Sequence, residues 1–180
     1  SANATVNPFY ELMNVQYAFG ARIGVVLVED TAKVNEIMSR EDIRSLLTGD
    51  LRNTKFLWSA KPLVVSGEEV GLEYVAIKSN RDDVAQLAGD VIVDANSEFD
   101  PTGSVNVSMR MNAQGAKKWK KITENNIDRQ VAIVLDNYVY SFPTVNDVIP
   151  NGSSSISGNF TVEEAEDLSN ILKAGKLPAP

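Results

Sequence analysis

From Val105 to Met111 the sequence Val-Asn-Val-Ser-Met-Arg-Met alternates apolar and polar positions, as expected of a strand with one buried face. The period then changes. Asn112 is placed to cap a helix in which Ala116, Trp119 and Ile122 line one side, while Lys117, Lys118, Lys120 and Lys121 face elsewhere. Strands are predicted over 131–135 and Tyr138–Ser141, on either side of Asp136-Asn137, two residues that tolerate positive φ and suit a tight hairpin. Asn151-Gly152-Ser153 reads as a loop and 154–157 as a short strand. In the last helix, Thr161 as N-cap and Glu164 three residues on can satisfy each other's backbone donors, with Phe160 set to pack on Ala165. Val162, Ala165, Leu168, Ile171 and Leu172 form its predicted buried stripe, and Gly175 its left-handed stop.

The first half reads as a smaller α+β unit. The β-branched run from Gly24 to Val28 precedes a helix capped by Asp30 or Thr31, with Val34, Ile37 and Met38 at helical spacing. Ser39-Arg40-Glu41-Asp42 resembles a capping box that restarts a second short helix carrying Ile43, Leu46 and Leu47, stopped by Gly49. Strands over 55–59 and 70–77 are joined by a turn at Ser66-Gly67-Glu68-Glu69. The polar stretch Ser79-Asn80-Arg81-Asp82-Asp83 closes the unit, which places the internal boundary between 1–84 and 85–180.

Composition narrows the chemistry. With 180 residues, 43% apolar and 23% charged, the chain has the balance of a globular protein able to bury a core. Its longest apolar run, residues 23–28, is far shorter than the roughly 20 residues a bilayer span needs. A formal net charge of -7 disfavours nucleic acid. No Cys and no His are present, which removes disulfides, thiol nucleophiles, most zinc sites and every scheme built on imidazole.

Three clusters remain to be weighed. Asp94, Asn96, Glu98 and Asp100 place oxygen ligands at alternate positions, but Phe99 and Val105 stand where a calcium loop wants Gly and Glu, so a strand entering the turn Asp100-Pro101-Thr102-Gly103 is the better reading. The lysines around Trp119 read as a solvated face, with Trp119 itself on the apolar side of its helix. Glu163, Glu164 and Glu166 occupy first helical turns, where the dipole favours negative charge whatever the function. No catalytic, cofactor-binding or metal-binding residue is therefore expected, and no cofactor.

Three ordered segments of the second half nevertheless resemble a known family: Gly115-Ala116-Lys117-Lys118-Trp119; Ala132-Ile133-Val134-Leu135-Asp136 with Tyr138-Val139-Tyr140-Ser141; and Ile156-Ser157-Gly158-Asn159-Phe160-Thr161-Val162-Glu163-Glu164-Ala165, leading into Leu172-Lys173-Ala174-Gly175-Lys176-Leu177-Pro178-Ala179-Pro180. They are similar to SecD, nearest to the SecD portion of fused SecDF protein-export membrane proteins. The resemblance implies an α+β fold with a partial ferredoxin-like base and an α+β head subdomain. On that reading residues 1–84 are the head, 85–180 are the C-terminal part of the base, and the base's opening strand and helix are missing, leaving a sheet edge unpaired. Residues 177–180 would enter the next transmembrane helix. The sequence departs from the family at Asn137, usually Gly, and at Phe142, where a small residue is common.

The same resemblance implies a role without catalysis: a Sec translocase accessory subunit of the bacterial inner membrane, this region on its periplasmic, extracytoplasmic side. It would aid late preprotein translocation driven by the proton-motive force, its proton-carrying residues lying in transmembrane helices outside this chain. The implied partners are the unfolded translocating preprotein, SecF and Sec translocon subunits, with the fragment itself monomeric. The head would engage the emerging polypeptide and move relative to the base. The alternative is a structural docking module that contacts Sec partners without binding the client.

Overall fold

β-Branched and aromatic residues recur through Thr54–Val65 and Glu68–Lys78, and these segments form a hairpin much longer than the two short strands the sequence predicts. A computed structural model describes residues 8–79 and 84–174. Along the chain its elements are α1 (Pro8–Leu12), β1 (Met13–Asn14), β2 (Arg22–Val26), α2 (Thr31–Ser39), α3 (Glu41–Arg44), β3 (Thr54–Val65) and β4 (Glu68–Lys78). They continue with β5 (Ile92–Phe99), β6 (Val105–Met111), α4 (Ala113–Asn125), β7 (Ile133–Leu135), β8 (Tyr138–Ser141), β9 (Ser153–Phe160) and α5 (Val162–Ala174). The fold is α+β and divides into two units, residues 1–84 with 132–142, and 85–131 with 143–180.

The first unit is built on a sheet of order β1-β2-β4-β3-β8-β7. The hairpin β7–β8, which the sequence reading kept with the second half, belongs here: β8 pairs in parallel with β3, Trp58 opposite Tyr138 and Ser59 opposite Val139. Its turn has Asp136 at φ 48 and Asn137 at φ 65, the left-handed geometry that a two-residue hairpin demands. One sheet face buries Met13, Val26 and Tyr74 with Val34 of α2. The other buries Leu57, Val75 and Val139, with Phe142 packed against them, so the large residue at 142 extends this core.

Two local features fix that sheet. Between Trp58↔Tyr74 and Pro62↔Leu72 the register of β3 slips, so three residues of β3 oppose Glu73 alone. Ser59 fills the gap in the ladder: its hydroxyl accepts from the Glu73 amide at 2.9 Å and donates to the Lys61 carbonyl at 2.7 Å. Pro62, which has no amide to donate, follows directly. Gly71, at φ 130, lets β2 approach closely; a Cβ there would run into the Val26 carbonyl oxygen. An ion pair of Arg22 with Glu73, 2.5 Å long and largely shielded, joins β2 to β4.

The expected caps around α2 are not formed. Asp30 precedes α2 without a side-chain cap, its carboxylate taken by Lys33 Nζ at 2.7 Å, while the Thr31 hydroxyl donates to the Val28 carbonyl. The predicted capping box at 39–42 is absent: Ser39 donates to the Glu36 carbonyl and Asp42 is held by Arg40 at 2.6 Å. The ion pair competes for the carboxylate that would have capped. The second helix is accordingly one turn, α3, and ends before Leu46, which is 70% exposed.

In the second unit β5, β6 and β9 form an antiparallel sheet of order β5-β6-β9. Val105, Val107, Met109 and Met111 point to its buried face, meeting Ala95, Ile156 and the α5 residues Ala165, Leu168 and Leu172. A complete ferredoxin-like β-α-β-β-α-β unit has four strands, one more than this sheet. Asn112 caps α4, its side chain accepting from the Gly115 amide at 2.8 Å. The capping box of α5 is present in both directions: Glu164 accepts from the Thr161 amide at 2.9 Å, and Thr161 accepts from the Glu164 amide at 3.2 Å. Val162, placed in the buried stripe by periodicity, is 45% exposed at the first helical residue, and Ser169 is buried in the stripe instead. Thr123, fully buried, accepts from the Ile149 amide at 3.0 Å and donates to the Trp119 carbonyl, tying the segment before β9 to α4. The expected stop at Gly175, the exit at 177–180 and most of the 79–83 linker lie outside the described residues.

Two substitutions test this account by urea unfolding. Ser59→Ala leaves the Glu73 amide without its acceptor and is expected to destabilise the first unit by about 1–3 kcal/mol. Thr161→Ala removes half the α5 capping box and is expected to cost about 0.5–2 kcal/mol. An unchanged unfolding midpoint in either case would refute the role given to that hydroxyl.

Candidate functional site

An open groove lies wholly within the first unit. Its floor comes from the register of the central hairpin, which sets Trp58 directly opposite Tyr74, with Phe56 diagonal to it. The Trp58 and Tyr74 ring centroids are 4.4 Å apart at an interplanar angle of 41°, and Phe56 stacks on Tyr74 at 5.7 Å and 16°. The Trp58 indole donates to Asn35 of α2 at 3.0 Å, so this helix is bonded to the aromatic stack. After the single turn of α3 the chain runs back to β3, and Ser45, Leu47 and Thr48 of this segment join the groove lining.

The result is an open groove of about 610 Å³. Met38, Leu47, Phe56 and Tyr74 supply its apolar surface, and Arg44, Arg52 and Lys55 its charge. No carboxylate is among its described lining residues. Leu46 and Leu51, both exposed, neighbour the lining residues in sequence. Tyr74 is only 3% exposed, and its burial pushes the phenol up to about 12, from an ordinary 10.0. Met38 adds an unbranched, polarizable side chain that adapts to different surfaces. Sequence reasoning named none of these residues as a site, because the lining is gathered from four elements and an irregular segment with no motif of its own.

The clusters singled out in the sequence take other places. Asp94, Asn96 and Glu98 share the open face of the second unit's sheet with Ser108, Arg110, Ser153 and Ser155, a shallow polar concavity of about 460 Å³. Glu98 accepts from the Ser108 hydroxyl at 2.8 Å, and Asp94 lies 4.0 Å from Arg110. Asp100 is not part of that face. Its carboxylate accepts from the Thr102 hydroxyl and from the amides of Thr102 and Ser104, closing the β5–β6 turn, and these hydrogen bonds, the hydroxyl's first, hold it below the usual carboxylate range. Among the described residues no group of His, Cys, Asp or Glu is arranged to hold a metal ion.

Trp119 is half-buried rather than core, since its indole N–H must reach a partner and finds the Ser154 hydroxyl at 2.6 Å. Lys117, Lys118, Lys120 and Lys121 are exposed. Glu164 serves the α5 cap, and Glu163 and Glu166 remain on the same helix.

Tyr74 gives this site a spectroscopic handle. A phenol whose folded pKa lies above its unfolded value contributes stability that is intact below about pH 10 and is lost as the pH rises toward 12. Alkaline absorbance titration is expected to show one tyrosine ionising near pH 12, and stability to decline across that window. Tyr74→Phe should remove both signals; their persistence would mean that the buried phenol belongs to another residue.

Comparison with known proteins follows from this geometry. The family model described as SecDF, P1 head subdomain, matches residues 64–179, more than half of the chain. That match takes in the end of the first unit and nearly all of the second, so the head description falls on residues the sequence reading gave to a base. The protein translocase subunit SecD of Rhodothermus marinus is 42% identical over 161 residues, covering 89% of this chain and 25% of that protein. The SecD of Rickettsia bellii is 42% identical over 118 residues, covering 66% of this chain and 22% of its own length. The chain thus spans about a quarter of these curated relatives. A solved structure of SecDF, a membrane component that enhances protein export, covers 94% of this chain and 62% of its own, at 27% identity and a TM-score of 0.48. With 42% identity to SecD sustained over nearly its whole length, and a SecDF model matching most of it, this chain belongs to the SecD family of protein translocase subunits.

Proposed function

We propose that this chain is the extracytoplasmic part of a SecD subunit that assists late preprotein translocation by holding the emerging polypeptide, the first unit making the contact. The observation that carries the reading is the groove itself, an apolar and cationic surface in a chain of this family. An unfolded client presents no fixed sequence, so its receptor needs adaptable surface more than matched hydrogen bonds. Met38, the ring faces of Phe56 and Tyr74, and the flexible stems of Lys55 and Arg52 supply that kind of surface. Conversion of the proton-motive force would take place in membrane-spanning parts of the subunit; among the described residues here no helix is long and apolar enough to cross a membrane.

The alternative, docking onto Sec subunits without client contact, draws on one feature of the second unit. Neither β5 nor β9 has a strand on its outer side among the described residues, and an open sheet edge can accept a strand from a partner.

Two measurements separate these readings. Adding a reduced and alkylated secretory protein to the isotopically labelled chain should shift the NMR signals of Met38, Leu47 and Phe56 at submillimolar client. No shift at millimolar client would count against direct binding. In full-length SecD, a photocrosslinker at Thr48 should yield adducts with a stalled preprotein, whereas adducts with Sec subunits alone would establish docking.

A further inference from the structure

We infer that the Tyr74 hydroxyl is a hydrogen-bond donor with which the first unit's groove grips the main chain of a bound polypeptide. This deepens the client-holding reading and rests on it. Tyr74 is 3% exposed, and no described residue takes a hydrogen bond from its phenol. Burial alone displaces its ionisation, which agrees with a hydroxyl that meets no charge or partner within the protein. Yet among the described residues no sealed side-chain oxygen or nitrogen lacks a partner. The hydroxyl therefore keeps a narrow opening to the outside, and the groove is the surface that Tyr74 lines.

Two neighbouring donors are already engaged. The Ser39 and Ser45 hydroxyls, which line the same groove, donate to the Glu36 and Asp42 carbonyls, each at 2.8 Å. Asn35 accepts from the Trp58 indole through Oδ1 at 3.0 Å, which leaves its amide nitrogen as a second donor among the lining residues. The rings of Trp58, at 4.4 Å, and Phe56, at 5.7 Å, hold the phenol ring in place, so its donor is preorganised. An O–H beside apolar walls gains more from an acceptor than one surrounded by water. A neutral donor suits a neutral carbonyl, because one phenol does not offset the desolvation of an anion. An unfolded polypeptide brings a carbonyl with every residue, whatever its side chains. One main-chain bond therefore gives hold without sequence, while Met38, Leu47 and Phe56 take whichever apolar side chain lies alongside.

A twelve-residue peptide with a Phe-Leu-Val centre and Ser-Gly flanks tests this by NMR titration of the whole chain. It is acetylated and amidated, so it carries no carboxylate. Tyr74→Phe, which keeps the ring, should weaken binding about two- to tenfold, the range of one net hydrogen bond. Tyr10→Phe, at an exposed position outside the groove lining, should leave binding unchanged. The same peptide with one carbonyl at a time replaced by a thiocarbonyl, a poorer acceptor, then locates the bond. One position should lose affinity in the unmutated chain and lose none in Tyr74→Phe, a coupling that packing alone does not produce. Equal binding by both chains would overturn the role of the hydroxyl while leaving the client reading intact. So would a thiocarbonyl series without a sensitive position in the unmutated chain, a result independent of how the variant folds. Weaker binding by Tyr74→Phe with the same sensitive position in both chains would make Tyr74 a packing residue and overturn the inference. No binding of the parent peptide at millimolar concentration would overturn both readings.

Discussion

The packing of Trp58, Tyr74 and Phe56 across the β3–β4 hairpin is the contact on which the first unit depends. It is a consequence of register: a one-residue slip of β3 against β4 would turn Phe56 and Trp58 away from Tyr74, to the face where Leu57 and Val75 pack with Val139. The bulge next to the stack begins at a serine whose hydroxyl accepts from the Glu73 amide, so the extra residues do not leave that amide unpaired. The groove is the exposed margin of this same stack. Core and groove are therefore continuous, and Tyr74 belongs to both.

The second unit is held differently. Its helices are fixed at their ends by side-chain caps, Asn112 for α4 and the Thr161–Glu164 pair for α5, and in the middle by a buried threonine that binds a neighbouring segment. Polar residues cover the open face of its sheet, where Glu98, Ser108 and Arg110 engage each other or their neighbours. Close packing adds to these bonds: Gly115 on α4 leaves no room for a side chain against Val91. The one element that crosses between units in sequence is the β7–β8 hairpin, which leaves the second half of the chain to complete the first unit's sheet.

That division bears on how the family resemblance can be used. A match running from residue 64 to 179 follows the chain, while the units do not, because residues 132–142 return to a sheet begun by residue 13. The two descriptions answer different questions. One reports which stretch of sequence is shared with relatives; the other reports which residues share a core.

Local chemistry was legible in the sequence wherever the deciding partners lie within a few residues. The alternation of β6, the Asn112 cap, the Asp136-Asn137 turn and the reciprocal α5 cap are all set by near neighbours, and each takes the form its residues dictate. Where distant groups compete, the sequence alone misleads. Arg40 takes the carboxylate expected to cap α3, Ser154 draws Trp119 part-way out of the core, and Trp58 finds its sheet partner at Tyr138, eighty residues on. The groove belongs to this second class: its cations and rings come from helix, loop and two strands, and only the folded register of β3 on β4 brings them to one surface.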